Sequence, residues 1–149
     1  RRVVNGKQAQ AYTIRSGEVD GDIHVLMKTE LTIGKLNDND CVIMAPYVSR
    51  RHAVLVIRGD RVVVQDLGSK NGTEVAGRRI EPDTDVVVED ADKVTIGGEK
   101  ALEIRVGHGT KGVEYVSVKK DGDAYVLLAG RYPVGRRGGG TLGELFVSE

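Results

Sequence analysis

Apolar residues in this chain come in short, β-branched runs and not at helical spacing. The runs are Val25–Met27, Leu31–Ile33, Cys41–Met44, Ala53–Ile57, Val62–Val64, Val86–Val88, Val94–Ile96 and Leu102–Val106. Between them lie turn signals: "NDND" (Asn37–Asp40), "RGD" (Arg58–Asp60), "NG" (Asn71–Gly72), "EPDTD" (Glu81–Asp85) and "GG" (Gly97–Gly98). Short strands broken by turn residues every 8–12 positions predict an all-β chain, an antiparallel β-sandwich, with no segment suited to a long helix. The clearest hairpin is "HAVLVIRGDRVVVQDL", two strands about a Gly-Asp turn.

The chain also resembles itself. "GDIHVLMKTELTIGK" (Gly21–Lys35) aligns without a gap to "GDAYVLLAGRYPVGR" (Gly122–Arg136) at an offset of 101 residues, with five identities. A fixed offset of this kind reads as an internal repeat. The division expected is an N-terminal extension over 1–20 that includes a candidate strand, a main unit over 21–107, and a partial second copy or strand-bearing extension over 108–149. In that last segment strands are expected at Val113–Val118 and Ala124–Leu128, with mobility in "RRGGGTLG" (Arg136–Gly143). A truncated repeat must pack on the first unit, stay mobile, or pair with another chain through its open edge, which makes self-association an expectation.

Composition narrows the function. Among 149 residues, 22 basic and 22 acidic side chains cancel, so no global field draws the chain to nucleic acid or to an anionic membrane. No apolar run approaches the roughly 18 residues needed to span a bilayer, and "RRVVNGKQAQ" lacks the apolar stretch of a signal peptide. The chain begins without Met and reads as excised from something longer. Cys41 is the single cysteine, which forbids an intramolecular disulfide and a multi-cysteine metal site and suits a reducing, cytoplasmic setting.

Candidate chemistry begins with "VSRRH" (Val48–His52) and "DLGSKNGT" (Asp66–Thr73). A hydrolase reading of Ser49 and His52 lacks a G-x-S-x-G elbow and a strand-turn-helix to carry it. His24, His52 and His108 are not spaced to share a metal, and "NDNDC" and "EDADK" lack the Gly and Glu positions of a calcium loop. "GRRGGGTLGE" (Gly135–Glu144) lacks the Gly-Lys-Ser/Thr ending of a P-loop and reads as a linker. No enzyme, metal or cofactor is expected. An anion site fits better: a phosphate monoester carries about −1.5 to −2 charges and wants a cation, a hydroxyl and free backbone N–H groups. "IGK" offers Lys35, "VSRRH" offers Ser49 and Arg50, and "SKNGT" offers Ser69, Lys70 and Asn71. Alternating strands would gather these loops at one end of a sandwich.

These residues resemble a known family. "LTIGK…NDNDCVI…VSRRHAVL…VVVQDLGSKNGTEVAGRRI…DKVTIGG" is similar to a forkhead-associated (FHA) domain over about Asp22 to Val106, through its Gly-Arg, Ser-x-x-His and Asn-Gly pattern. The resemblance implies a β-sandwich that binds phosphothreonine peptides through the loops at one end, without catalysis. It implies that Ser49 donates its hydroxyl to the phosphate, and that Lys35 supplies the cation with added charge from Arg50 and Lys70. Asn71 would bond the peptide backbone. Gly34 would give a tight turn before Lys35, Gly72 a positive φ, and His52 would pack behind the site and hold its loops. Arg51 is expected to face solvent or a partner. The departure is Lys35, which stands where the family has arginine: lysine is a point charge and not a fork, so phosphate binding should weaken. The same fold serving as a structural or oligomerising module that binds without phosphate is the alternative, favoured by Lys35 and the appended repeat.

Overall fold

The structure, a computed structural model, describes residues 2–5 and 21–128. Thirteen strands are present among them: β1 Arg2–Asn5, β2 Asp22–Leu26, β3 Glu30–Gly34, β4 Cys41–Val42, β5 Ala53–Arg58, β6 Arg61–Asp66, β7 Thr73–Val75, β8 Arg78–Arg79, β9 Val86–Val88, β10 Lys93–Ile96, β11 Lys100–Gly109, β12 Gly112–Lys120 and β13 Asp123–Leu128. They form an eight-stranded sheet in the order β1-β2-β13-β12-β11-β10-β7-β8 and a five-stranded sheet in the order β4-β3-β5-β6-β9. Pairing is antiparallel apart from β1 with β2, β2 with β13, and β3 with β4.

The fold is the all-β sandwich that the spacing of apolar runs predicts. Alternate residues of the two sheets interdigitate between them: Leu31, Ile33, Leu55, Ile57, Val62 and Val64 from one, Val94, Ile96, Leu102, Ile104, Val116, Val118 and Leu127 from the other. Most are fully buried, and burying such a side chain contributes about 1.5–3 kcal/mol. The hairpin of β5 and β6 turns through Gly59 and Asp60, with positive φ at Gly59 alone of the two, as a II′ turn requires.

The two segments of the internal similarity are neighbours in the sheet. β2 and β13 lie side by side and parallel, and their register is Ile23 with Ala124, His24 with Tyr125, Val25 with Val126 and Leu26 with Leu127. That register is the same 101-residue offset. Both strands open on Gly-Asp, joined by Gly21 N–H donating to the Gly122 carbonyl at 2.7 Å and Asp22 N–H donating to Asp123 Oδ1 at 2.8 Å. Two neighbours inside one sheet meet the same alternation of environments, so similar sequences suit both. His24 and Tyr125, paired in this register, stack with ring centroids 4.6 Å apart.

The strands expected at Val113–Val118 and Ala124–Leu128 are present as β12 and β13, and they lie inside the eight-stranded sheet of the first unit. β11 runs through the expected boundary at 107/108, and β13 has β12 on one side and β2 on the other. The open edge on which self-association was expected is occupied by β2. Arg136, "RRGGGTLG" and the rest of 129–149 lie outside the described residues.

Candidate functional site

Three connections meet at one end of the sandwich: 35–40 after β3, 43–52 before β5, and 67–72 after β6. Lys35 N–H donates to the Ser49 carbonyl at 3.0 Å and Leu36 N–H to the Arg50 carbonyl at 3.3 Å, zipping the first two together. That approach leaves no room at Gly34, where a Cβ would stand 2.2 Å from the Arg50 oxygen and 2.8 Å from Asn39 Nδ2. The glycine is thus required for close packing of two backbones, in place of the tight turn expected of it.

His52 ties the second connection to the third. It is fully buried; Nδ1 accepts the Ser49 N–H at 3.0 Å, and Nε2 lies 2.8 Å from the Gly72 carbonyl. Because Nδ1 accepts, the ring proton sits on Nε2 and is donated to Gly72. Backbone bonds from His52 N–H to Ile33 and from Leu67 N–H to His52 complete the anchor. Both ring nitrogens are thus occupied by main chain.

The third connection is organised by Asp66, buried at the end of β6. Its carboxylate accepts from Gly68 N–H and Ser69 N–H at 3.0 Å each, from Ser69 Oγ at 2.5 Å and from Thr73 Oγ1 at 2.7 Å. Burial opposes the charge, yet the bonds from Ser69, Thr73 and the two amides outweigh it and hold the carboxyl below its usual range. Ser69 Oγ in turn accepts Gly72 N–H at 2.9 Å. Gly72 has φ of +86°, in the left-handed region that glycine enters without penalty.

On this frame Lys35, Ser49, Arg50, Lys70 and Asn71 line one open cleft of about 640 Å³, together with Leu36, Pro46, Val48 and Arg51. Ser49 Oγ accepts the Lys70 N–H at 3.1 Å, which uses a lone pair and leaves the hydroxyl proton to donate. Asn71 donates one amide proton to the Tyr47 carbonyl at 3.0 Å, leaving its second proton and its oxygen for a ligand. Arg51 also borders the cleft but is paired with Asp38 at 2.7 Å, both exposed. That hydrogen bond lowers the Asp38 pKa.

Sequence reasoning missed four of the residues that build this frame: Asn39, Tyr47, Asp66 and Ser69 as a structural hydroxyl. Asn39 lies in a stretch read only as a turn, yet it is buried, and Nδ2 donates to the Arg50 and Leu36 carbonyls at 2.9 and 3.0 Å. Asp66 carried a signal: a carboxylate two and three residues before Gly68 and Ser69 is the pattern that folds a turn onto itself. Cys41 is buried, and desolvation pushes its thiol up to about 12, so it is packed as an apolar group. Among the described residues no three His, Cys, Asp or Glu side chains are grouped to hold a metal, and no helix is long and apolar enough to cross a membrane.

Comparison with known proteins gives the same picture. The family model of the FHA domain matches residues 31–97. The transcriptional regulatory protein EmbR of Mycobacterium tuberculosis is 36% identical over 114 residues, covering 75% of this chain and 28% of that protein. The FHA domain-containing protein FhaB of the same organism is 35% identical over 97 residues, 65% of this chain and 61% of its own. The chain therefore spans about a quarter of EmbR and about three fifths of FhaB. Among solved structures, an FHA domain from Chlamydia trachomatis is 31% identical with a TM-score of 0.44, covering 48% of this chain and 71% of that one. EmbR bound to a low affinity phosphopeptide is 36% identical with a TM-score of 0.47, covering 56% of this chain and 21% of its own. With a sandwich framed by Ser49, His52 and Asn71–Gly72 and a family match across the strands that carry them, this chain contains a forkhead-associated (FHA) domain over residues 31–97.

Proposed function

We propose that the chain is a non-catalytic protein-interaction module that recognises phosphothreonine-containing peptides in the cleft between its three loops. The observation that carries this reading is the donor set of that cleft. Two cations, Lys35 and Arg50, a hydroxyl with its proton free, the Lys70 cation and an amide with an open donor and acceptor face one space. This inventory suits a dianionic phosphate flanked by peptide backbone. Ser49 donates to a phosphate oxygen, Lys35, Arg50 and Lys70 balance its charge, and Asn71 bonds the main chain beside the phosphothreonine.

The folded unit that does this runs from β2 through β13, because β12 and β13 bridge β11 to β2 and complete the sheet. A signalling role in the cytoplasm suits the single free thiol, and zero net charge gives no attraction to nucleic acid. Calorimetric titration with phosphothreonine peptides of randomised flanks, each with its unphosphorylated twin, tests the reading. The expected result is binding of phosphorylated peptides with at least about tenfold preference. Equal binding of both twins would favour the alternative that Lys35 raises, a partner held without phosphate.

A further inference from the structure

The edge strands of the two sheets are finished differently. β8, at one edge of the eight-stranded sheet, consists of Arg78 and Arg79, both exposed. Charges placed there discourage pairing with a further strand. β4, at one edge of the five-stranded sheet, is met by Lys120, whose Nζ donates to the Val42 carbonyl at 3.1 Å. β9, at the other edge of that sheet, is made of valine alone, Val86–Val88. It pairs with β6 in the register Val62 with Val88, Val63 with Val87 and Val64 with Val86. Among the described residues no strand pairs with its other side.

Val88 points into the core and is buried, so Val87 points to the outer face of the sheet. There it ends a row that runs from Val56 on β5 through Val63 on β6. Val56 and Val63 are 8% and 2% exposed, whereas Val87 is 40% exposed, because the row stops where the sheet stops. Asp85 and Glu89 stand two residues to either side of Val87, both exposed, and the two-residue period of a strand puts them on its face. Asp85 faces Arg58 at 3.3 Å, while Glu89 has no ion pair among the described residues. Beside this edge a groove of about 360 Å³ is lined by Val62, Val87, Val88, Glu89, Val106 and His108, among others. It lies at the start of β6, and the cleft loop follows the other end of that strand, roughly 16 Å away.

We propose that the free edge of β9 docks an extended segment of a partner protein, which adds to the five-stranded sheet as a further strand and carries a basic-x-apolar-x-basic pattern. Main-chain bonds to the open side of β9 hold such a segment, and alternate side chains select it. Its apolar residue continues the row of Val56, Val63 and Val87, and its two cations meet Glu89 and Asp85. The same carboxylates decide against a second copy of this chain. Two β9 strands paired antiparallel about Val87 would set Asp85 of one copy opposite Glu89 of the other at both ends, and like charges directly opposed are destabilising. The surface shares no residue with the cleft and does not depend on what the cleft binds.

The test is fluorescence anisotropy with three labelled peptides. The first is Gly-Lys-Thr-Val-Thr-Lys-Gly. The second has glutamate for both lysines, and the third has proline for both threonines, which keeps the charge but removes donors to a strand edge. The lysine peptide is expected to bind at least about tenfold more tightly than either control, with an advantage over the glutamate peptide that shrinks as salt is raised. In nuclear magnetic resonance spectra it should shift the amides of Val86, Val87 and Val88. Val87→Lys should weaken its binding about tenfold and Glu89→Lys about three- to fivefold. Both residues are exposed, and thermal melting checks that each variant remains folded. Equal binding of the three peptides, shifts confined to the cleft loops, or unchanged affinity in both variants would overturn the proposal. So would dimerisation through this edge without peptide, seen as concentration-dependent shifts at Val86–Val88 that Val87→Lys abolishes, which would assign the edge to a second copy.

Discussion

His52→Ala separates a residue that holds the site from one that touches ligand. The imidazole is 0% exposed and bridges two loops through the Ser49 N–H and the Gly72 carbonyl, at 3.0 and 2.8 Å. Truncation orphans one buried donor and one buried acceptor. Each costs about 1–3 kcal/mol when left unpaired, less where water enters. The void left by the ring costs more, since the surrounding strands close over it only in part. Taking the lower ends of these contributions, the loss is about 3–5 kcal/mol. For a domain of roughly this size, 1 kcal/mol moves the midpoint by about 4 °C, so melting followed by circular dichroism should fall by about 12–20 °C. Phosphopeptide affinity measured well below the new midpoint should also weaken, because Ser49 and Gly72 lose their common brace. A variant that melts within about 3 °C of wild type yet no longer binds would refute this reasoning and place the His52 ring on the ligand.

Ser49→Ala removes one charge-assisted bond to phosphate and should weaken phosphopeptide binding about 5- to 100-fold by calorimetry, with little change for unphosphorylated peptide. Lys35→Arg restores a fork where the chain has a point charge, and affinity should rise about fivefold; an unchanged affinity would mean that Arg50 and Lys70 carry the phosphate. Asp66 gives an acid limb to stability. Its folded pKa is depressed, so its contribution is complete above the unfolded value of about 3.9 and is lost as pH falls through the lower folded value. Melting midpoints measured down to about pH 2 should show this loss below pH 4. In Asp66→Asn the overall midpoint should be lower and this part of the acid loss absent.

Much of the architecture was legible because its causes are local. A strand with one buried face must alternate or run apolar, and a turn must contain residues that tolerate it, so the strands from β2 to β6 and β9 to β13 stand at or near the apolar runs and their turns at Gly, Asn and Asp. Positive φ at Gly72 follows from an Asn-Gly step between strands for the same reason. The short strands β7 and β8 were not anticipated, since three and two residues make no periodic signal. Nor does a sequence state which strands become neighbours. The 101-residue similarity of β2 and β13 looked the same whether it marked a second unit or two adjacent strands, and only long-range pairing decided for adjacency.

The site divides along the same line. Residue types apt for phosphate, Lys35, Ser49, Arg50, Lys70 and Asn71, were visible in the chain because charge and donor inventory belong to side chains. Their facing one cleft, the pairing of Arg51 with Asp38 and the need for glycine at 34 were settled by tertiary structure. Each depends on a distance between backbones that are far apart in sequence and are brought together by burial of the core.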